Sequence, residues 1–133
     1  MLTAKVFARP NWNDICPVQA GKTYELLASG TWWDWFVPSG PGGYEGTILK
    51  PVAHLKRSPA DRWFCLMGAV DQDEDTLFPI GSHKTWTSTQ DGILCCVAND
   101  IPAMHWNNWG AVTVSVRTVW HPVTTGVEFQ QRR

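Results

Sequence analysis

The fold class is indicated most clearly by residues 111–119, which run Ala111-Val112-Thr113-Val114-Ser115-Val116-Arg117-Thr118-Val119. Valines stand at alternate positions, at Val112, Val114 and Val116, and mostly polar residues stand between them. Successive side chains of a β-strand point to opposite faces of the sheet. The alternation therefore predicts a strand with one buried face and one solvated face.

Short apolar or alternating segments recur along the rest of the chain, and turn residues separate them. They predict further strands at residues 4–8, 23–32, 63–70, 84–88 and 93–98. Residues 37–46 hold two prolines and four glycines, which predict a loop. No long segment shows the 3.6-residue period of an amphipathic helix. The pattern predicts an all-β sandwich or jelly roll.

The composition fits a single globular domain. The chain has 133 residues, of which 44% are apolar and 17% are charged, and its formal net charge is −1. A chain of this length buries a sizeable core without help from disulfides. We expect a β-sandwich domain over residues 1–123 and a polar C-terminal tail over residues 124–133.

The charge pattern and the apolar runs argue against two classes of partner. Lysines and arginines are scattered rather than clustered, so we expect no nucleic-acid binding. No apolar run approaches the roughly 20 residues that span a bilayer, so we expect no membrane span. Residues 1–10 lack the apolar segment of a signal peptide. We therefore expect a cytoplasmic protein, or one exported without a cleavable signal.

Tryptophan is unusually frequent, with nine in 133 residues. A small core cannot easily hold nine indoles and satisfy their N–H donors, so some should lie at a surface, a groove or a subunit interface. The four cysteines show neither CxxC nor Cys/His zinc spacing. We expect them to be reduced residues of the core.

The loop before residues 111–119 carries the strongest functional signal. It runs Asn99-Asp100-Ile101-Pro102-Ala103-Met104-His105-Trp106-Asn107-Asn108-Trp109-Gly110. Asp100 supplies a carboxylate, and Asn107 and Asn108 supply amide oxygens. Calcium collects about six to eight such hard oxygen ligands, including backbone carbonyls. The alternative is an Asx-rich turn whose side chains cap their own backbone.

Two segments carry a resemblance to a known family. One runs from Gln19 to Trp32 and ends Ala-Ser-Gly-Thr-Trp; the other follows Gly92. The second consists of an apolar strand, Asn-Asp-Ile-Pro, four residues, Asn-Asn, one residue, Gly and an alternating strand. Together they resemble the calcium-dependent galactose-binding lectins of the Pseudomonas lectin A type. The resemblance implies a galactose-binding-domain-like β-sandwich, and it does not extend over residues 37–82.

The resemblance also implies one Ca²⁺ ion and its ligands. These would be Asp100, Met104, Asn107 and Asn108, together with Asp34 or Trp35. Asp100 would bind through its carboxylate, the two asparagines through their amide oxygens, and the others through backbone carbonyls. Two vicinal hydroxyls of a sugar would complete the coordination shell.

The sugar contacts follow from the same resemblance. In the family a histidine and a glutamine from a mid-chain loop hold the exocyclic hydroxyl, whereas this chain has His54 there and no nearby glutamine. Aromatic residues beside the loop can stack on the apolar face of a pyranose instead. We expect sugar contacts from Asp100, Asn107, Asn108, His54, Trp33, His105 and Trp106.

The sequence thus predicts a lectin-like module that binds a galactoside-type carbohydrate through Ca²⁺, without catalysis. Such lectins gain strength by presenting several weak sites, so we expect a homo-oligomer, a dimer or a tetramer. An alternative is a structural or protein-interaction β-sandwich whose loop is metal-free or holds a purely structural ion. A hydrolase would need two convergent carboxylates, and no hydrolase signature surrounds Asp14, Glu25, Asp34 or Glu45.

Overall fold

The computed structural model describes residues 1–119, apart from the side chains of residues 47–49, and it shows ten strands and three 3-10 helices there. The strands are β1 (Leu2–Phe7), β2 (Asn13–Val18), β3 (Thr23–Asp34), β4 (Val37–Ser39), β5 (Gly42–Tyr44), β6 (Trp63–Val70), β7 (Phe78–Pro79), β8 (His83–Thr87), β9 (Gly92–Ala98) and β10 (Asn108–Thr118). The 3-10 helices span Thr47–Leu55, Glu74–Thr76 and Pro102–Asn107.

Two antiparallel sheets pack face to face and form a β-sandwich. The first sheet has the order β1-β10-β3-β4, with β8 also paired to β3. The second has the order β2-β9-β6-β5, with β7 also paired to β6. Side chains from both sheets fill the core between them, among them Val6, Leu26, Trp32, Phe64 and Leu94. The predicted all-β sandwich is confirmed.

Strand β10 shows how the alternating pattern builds the core. Val112, Val114 and Val116 are buried in it, as the sequence predicts. β10 lies between β1 and β3, and it pairs with β3 along its whole length, beginning with Asn108 opposite Asp34. This register fixes which end of β3 meets the loop that precedes β10.

Strand β6 is buried at every position, as its continuous apolar run predicts. Phe64 and Leu66 face the core between the sheets. Cys65 and Met67 point to the opposite face, where they pack with Val97 of β9. The strand is therefore covered on both sides.

Four strands lie where the sequence predicts none. The expected loop at residues 37–46 contains β4 and β5, and β2 and β7 occupy segments with no strand pattern. Each of these strands pairs with one neighbour only. A strand paired on one side only tolerates proline and needs no alternating pattern. Three of these strands contain a proline, Pro17, Pro38 or Pro79, and for this reason their sequences do not predict strands.

Some expectations concern residues beyond position 119. The domain boundary after residue 123 and the polar tail at 124–133 lie outside the described residues. Within residues 1–119 no helix is long and apolar enough to cross a membrane. All four cysteines are free thiols; three are buried and Cys16 is half-buried.

Asn99, directly after β9, ties the candidate loop to the chain before β6. The side chain is fully buried, and its Oδ1 accepts the Ser58 N–H at 2.9 Å. Its Nδ2 faces the carbonyl oxygens of Ser58, Asp61 and Arg62 at 2.9, 3.2 and 2.9 Å. The neighbouring Asp100 is held as well, because its carbonyl accepts the Arg57 N–H at 3.0 Å. Asn99 is thus a structural residue that positions Asp100.

Replacing Asn99 with alanine should lower the free energy of unfolding by about 3 kcal/mol, because several buried polar groups lose their partners at once. Urea denaturation followed by tryptophan fluorescence measures the change. Asn11→Ala is the matched control, since Asn11 is exposed, and its effect should stay below about 0.5 kcal/mol. Equal effects from both variants would contradict the structural role of Asn99.

Candidate functional site

The loop between β9 and β10 is a single 3-10 helix with defined ends. Pro102 starts the helix, and the Met104 N–H donates to the Ile101 carbonyl at 2.8 Å. Gly110, just inside β10, has a φ of 85°, and a Cβ there would lie 3.2 Å from the Trp32 Cα. This combination of left-handed backbone and close packing favours glycine.

The three-residue period of the helix sorts its side chains onto three faces. Ile101, Met104 and Asn107 line one pocket. His105 and Asn108 turn toward β1, where the His105 Nδ1 and the Asn108 Nδ2 each lie 3.3 Å from the Ala8 carbonyl oxygen. The third face is the outer surface, with exposed residues including Trp106 and Trp109.

Three side-chain oxygens of this loop are buried and have no hydrogen-bond donor among the described residues: Asp100 Oδ2, Asn107 Oδ1 and Asn108 Oδ1. Asp100 is 3% exposed and Asn108 is 0% exposed. The Asx-turn alternative accounts for the other Asp100 oxygen, Oδ1, which accepts the Ile101 N–H at 2.7 Å. It leaves the three named oxygens unexplained, and a buried oxygen without a donor is costly.

A pocket of about 630 Å³ is lined by two of these residues, Asp100 and Asn107. Its lining also includes the carboxylate residue Asp34 and two indoles, Trp35 and Trp63. The remaining lining residues are Val37, Tyr44, Glu45, Gly46, Val52, Ile101 and Met104. The pocket therefore combines oxygen-bearing side chains with indole rings.

Asp34 enters the site from the end of β3. It lies directly opposite Asn108 in the β3–β10 ladder, and the Tyr44 hydroxyl donates to its Oδ2 at 2.6 Å. Burial, together with the hydrogen bond to Asp34, raises the pKa of Tyr44. Tyr44 therefore remains a donor at neutral pH.

The environment of Asp100 disfavours its charged form. Burial and the nearby Asp34 charge raise its pKa from an ordinary value of 3.8 to about 6. The Ile101 N–H, the Asn108 amide and the Arg57 charge oppose this increase. At neutral pH Asp100 is thus an ionised carboxylate with one oxygen unpaired.

The β3–β4 hairpin is tied to the loop through Trp35. The Trp35 N–H donates to the Asn107 carbonyl at 3.2 Å, and the Trp35 carbonyl accepts the Trp109 indole N–H at 3.0 Å. Trp35 is the first residue of the two-residue turn and has a φ of 55°, a conformation that favours glycine. Its side chain is nevertheless a large indole, 62% exposed.

The structure brings together most of the expected metal ligands. Asp34, Trp35, Asp100, Met104 and Asn107 all line the pocket. Asn108 adds its buried Oδ1 from the start of β10. The Trp35 carbonyl already accepts a hydrogen bond from Trp109, whereas within residues 1–119 no such contact reaches the Asp34 carbonyl outside the β-ladders. Within the same residues no group of three His, Cys, Asp or Glu side chains could hold a metal, so a cation here would need amide or carbonyl oxygens in addition to carboxylates.

The other expected sugar contacts lie away from the pocket lining. His54 is exposed on the first 3-10 helix, and Trp106 is exposed on the outer face of the third. Trp33 stacks on Trp109, with ring centroids 4.8 Å apart and planes 2° apart. His105 is buried against β1, and this burial lowers its pKa. The three-residue period of the helix explains why His105 and Trp106 lie outside the pocket lining, since neither shares a face with Met104 and Asn107.

The sequence does not predict a place in the pocket for five of its lining residues, Tyr44, Glu45, Gly46, Val52 and Trp63. Tyr44 follows two glycines at the end of β5, and Trp63 begins β6, which reads only as a core strand. Their role depends on the pairing of Tyr44 with Trp63. Two of the acidic residues that could form the carboxylate pair of a hydrolase, Asp34 and Glu45, line the pocket. A third, Glu25, lies elsewhere and forms ion pairs with Arg117 and His83.

The fold is shared with a solved lectin domain. The structure is described as the EclA N-terminal domain, a PllA-like lectin. It matches with a TM-score of 0.67 over 90% of this chain and 97% of that chain, at 21% sequence identity. The likeness shows a lectin-like β-sandwich fold. No protein-family model matches the chain, and no curated protein matches it.

Raising the pH should destabilise the metal-free protein through Asp100. Between pH 3.8 and about 6 the folded chain holds the Asp100 proton more tightly than the unfolded chain does. Raising the pH through this window therefore removes up to about 3 kcal/mol from the free energy of unfolding. The measurement is thermal unfolding in chelator at several pH values, with Asp100→Asn as comparison.

The Asp100→Asn variant should lack this part of the pH dependence, because its amide does not titrate. Asp14→Asn, at an exposed site, should keep the wild-type profile. Superimposable profiles for wild type and Asp100→Asn would show that Asp100 has an ordinary pKa.

Proposed function

We propose that the chain is a non-catalytic carbohydrate-binding module, in which Asp100, Asn107, Asn108 and the Met104 carbonyl hold a Ca²⁺ ion that binds a galactoside-type sugar. The observation that carries the proposal is the group of three buried, unpartnered oxygens on one loop: Asp100 Oδ2, Asn107 Oδ1 and Asn108 Oδ1. Carboxylate, amide and carbonyl oxygens are the ligands that calcium prefers. A bound cation would offset the burial of all three.

The ion would leave coordination places for a ligand. Calcium takes about six to eight oxygens, more than these residues supply, so hydroxyls can enter its shell. The adjacent pocket of about 630 Å³ is large enough for a sugar ring. Trp35, whose indole is 62% exposed, offers apolar surface on which the C–H face of a pyranose can stack. The lectin fold of the EclA N-terminal domain supports the same class of ligand.

The proposed module would act as a homo-oligomer. Phe36, Trp106 and Trp109 are exposed, and large apolar side chains grouped at a surface are typical of interaction sites. Several weak sugar sites on one assembly would raise the apparent affinity. The same surface favours the alternative function, a protein-interaction module with a structural ion or none. Carbohydrate binding that depends on calcium separates the two functions.

Calcium should raise the melting temperature of the wild-type protein, and EDTA should reverse the increase, because the ion binds only the folded chain. Asp100→Ala should lose the calcium-dependent shift, and Asp14→Ala should retain it. Differential scanning fluorimetry measures all three proteins. Isothermal titration with methyl galactosides then tests the sugar, which should bind in calcium and fail to bind in EDTA.

Two results would contradict the proposal. One is an unchanged melting curve with and without calcium. The other is binding to a glycan array that is equally strong in calcium and in EDTA, since the ion would then play no part in recognition.

Trp35→Gly should separate ligand binding from stability. Glycine suits the left-handed φ of 55° at this position, so the free energy of unfolding should change by less than about 1 kcal/mol. Sugar affinity should fall severalfold, because the stacking surface is lost. Phe7→Ala removes an exposed ring outside the pocket lining as a control, and it should leave sugar affinity unchanged. A Trp35→Gly protein with wild-type sugar affinity would exclude Trp35 from the site.

A further inference from the structure

We infer that the Asp34 side-chain carboxylate is a second acidic ligand of the cation, oriented by the Tyr44 hydroxyl. The family resemblance implies only a backbone carbonyl from this part of the chain. The inference deepens the proposed function and rests on it, since it concerns the same cation. The cation would then have two carboxylate ligands, Asp34 and Asp100, rather than one.

The strand register aims Asp34 at the candidate ligands. Residues directly opposite each other in an antiparallel ladder point to the same face of the sheet, with Cβ atoms about 4.5–5.5 Å apart. Asp34 is opposite Asn108, whose unpartnered Oδ1 is fully buried. Asp34 also lines the same pocket as Asp100 and Asn107. Two elements distant in sequence therefore bring both carboxylates to one pocket, where the charge of Asp34 acts on Asp100.

Tyr44 holds the Asp34 carboxylate in one orientation. Its hydroxyl donates to Oδ2 at 2.6 Å, and no residue within 1–119 donates a hydrogen bond to Oδ1. One oxygen is thus fixed by a protein donor while the other is available to a ligand. Outer partners of this kind orient metal-binding side chains and affect metal affinity. Tyr44 is a positioning residue in this arrangement.

The negative charge of the carboxylates that line the pocket favours a bound cation. Two carboxylates of its described lining, Asp34 and Asp100, lie close enough to repel each other, whereas the third, Glu45, lies near Lys56. The described lining itself includes no lysine, arginine or histidine. Arg57, whose charge acts on Asp100, lies outside the pocket lining and directs its guanidinium to Glu74 and over the Trp12 ring. Two neighbouring carboxylates in a partly buried site repel each other unless a positive charge lies between them. A divalent ion balances Asp34 and Asp100 together.

The test compares isosteric variants by calcium titration calorimetry, with terbium luminescence sensitised by the site tryptophans as a second readout. Asp34→Asn should weaken calcium binding at least about tenfold, and Tyr44→Phe should weaken it severalfold. Glu45→Gln is the matched control, because Glu45 lines the pocket without a place in the proposed ligand set. Its calcium affinity should stay within about twofold of wild type.

Melting temperatures in EDTA separate a ligand from a merely structural residue. Removing one of two repelling carboxylates should raise the metal-free melting temperature of Asp34→Asn, while the increase on adding calcium becomes smaller. Replacing a merely structural residue would instead lower the melting temperature in EDTA and leave the increase on adding calcium unchanged. Tyr44→Phe retains both carboxylates, so it tests the orientation without changing the charge.

The outcomes distinguish this inference from the proposed function. If wild type takes up calcium and Asp34→Asn binds it equally well, the second carboxylate is overturned and the calcium site stands. If wild type takes up no calcium, both are overturned. Loss of affinity in Glu45→Gln equal to that in Asp34→Asn would overturn the specific assignment, because general charge would then account for the effect.

Discussion

The site depends on one constraint: a carboxylate, Asp100, is buried with one oxygen that has no donor among residues 1–119. Burial and the Asp34 charge raise its pKa to about 6, so keeping it ionised at neutral pH opposes folding. Proteins normally pair such oxygens with donors or with metal ions. The surrounding structure holds Asp100 in this position nonetheless, through Asn99 on one side and the 3-10 helix on the other. This is the physical basis of the proposed calcium site.

The β3–β10 register and the helix period together assemble the site. The ladder sets Asp34 opposite Asn108, and the three-residue turn brings Met104 and Asn107 to the same pocket. The same period turns His105 toward Ala8 and leaves Trp106 on the outside. One short helix therefore divides an uninterrupted run of polar and aromatic residues among pocket, core and surface. In the proposed function the pocket residues bind the cation together with the buried Oδ1 of Asn108.

Much of the fold follows from the sequence, because the alternation of Val112, Val114 and Val116 and the continuous apolar run of β6 each predict which side chains are buried. The edge strands β2, β4, β5 and β7 could not be predicted from the sequence. Prolines and glycines interrupt their patterns, and each strand forms by pairing with a neighbour on one side alone. The oxygens of Asp100, Asn107 and Asn108 stand out by residue type and spacing. Residue type and spacing do not identify Tyr44 and Trp63 as site residues, because the pairing of β5 with β6 brings them to the pocket.

The central claim is that a cation joins the three unpartnered oxygens. Its most direct test is a crystal structure grown in calcium, with the anomalous signal measured at the loop. The account predicts one peak about 2.3–2.6 Å from Asp100 Oδ2, Asn107 Oδ1 and Asn108 Oδ1. Water molecules at hydrogen-bond distances of about 2.8 Å from those oxygens, with no anomalous peak, would contradict it.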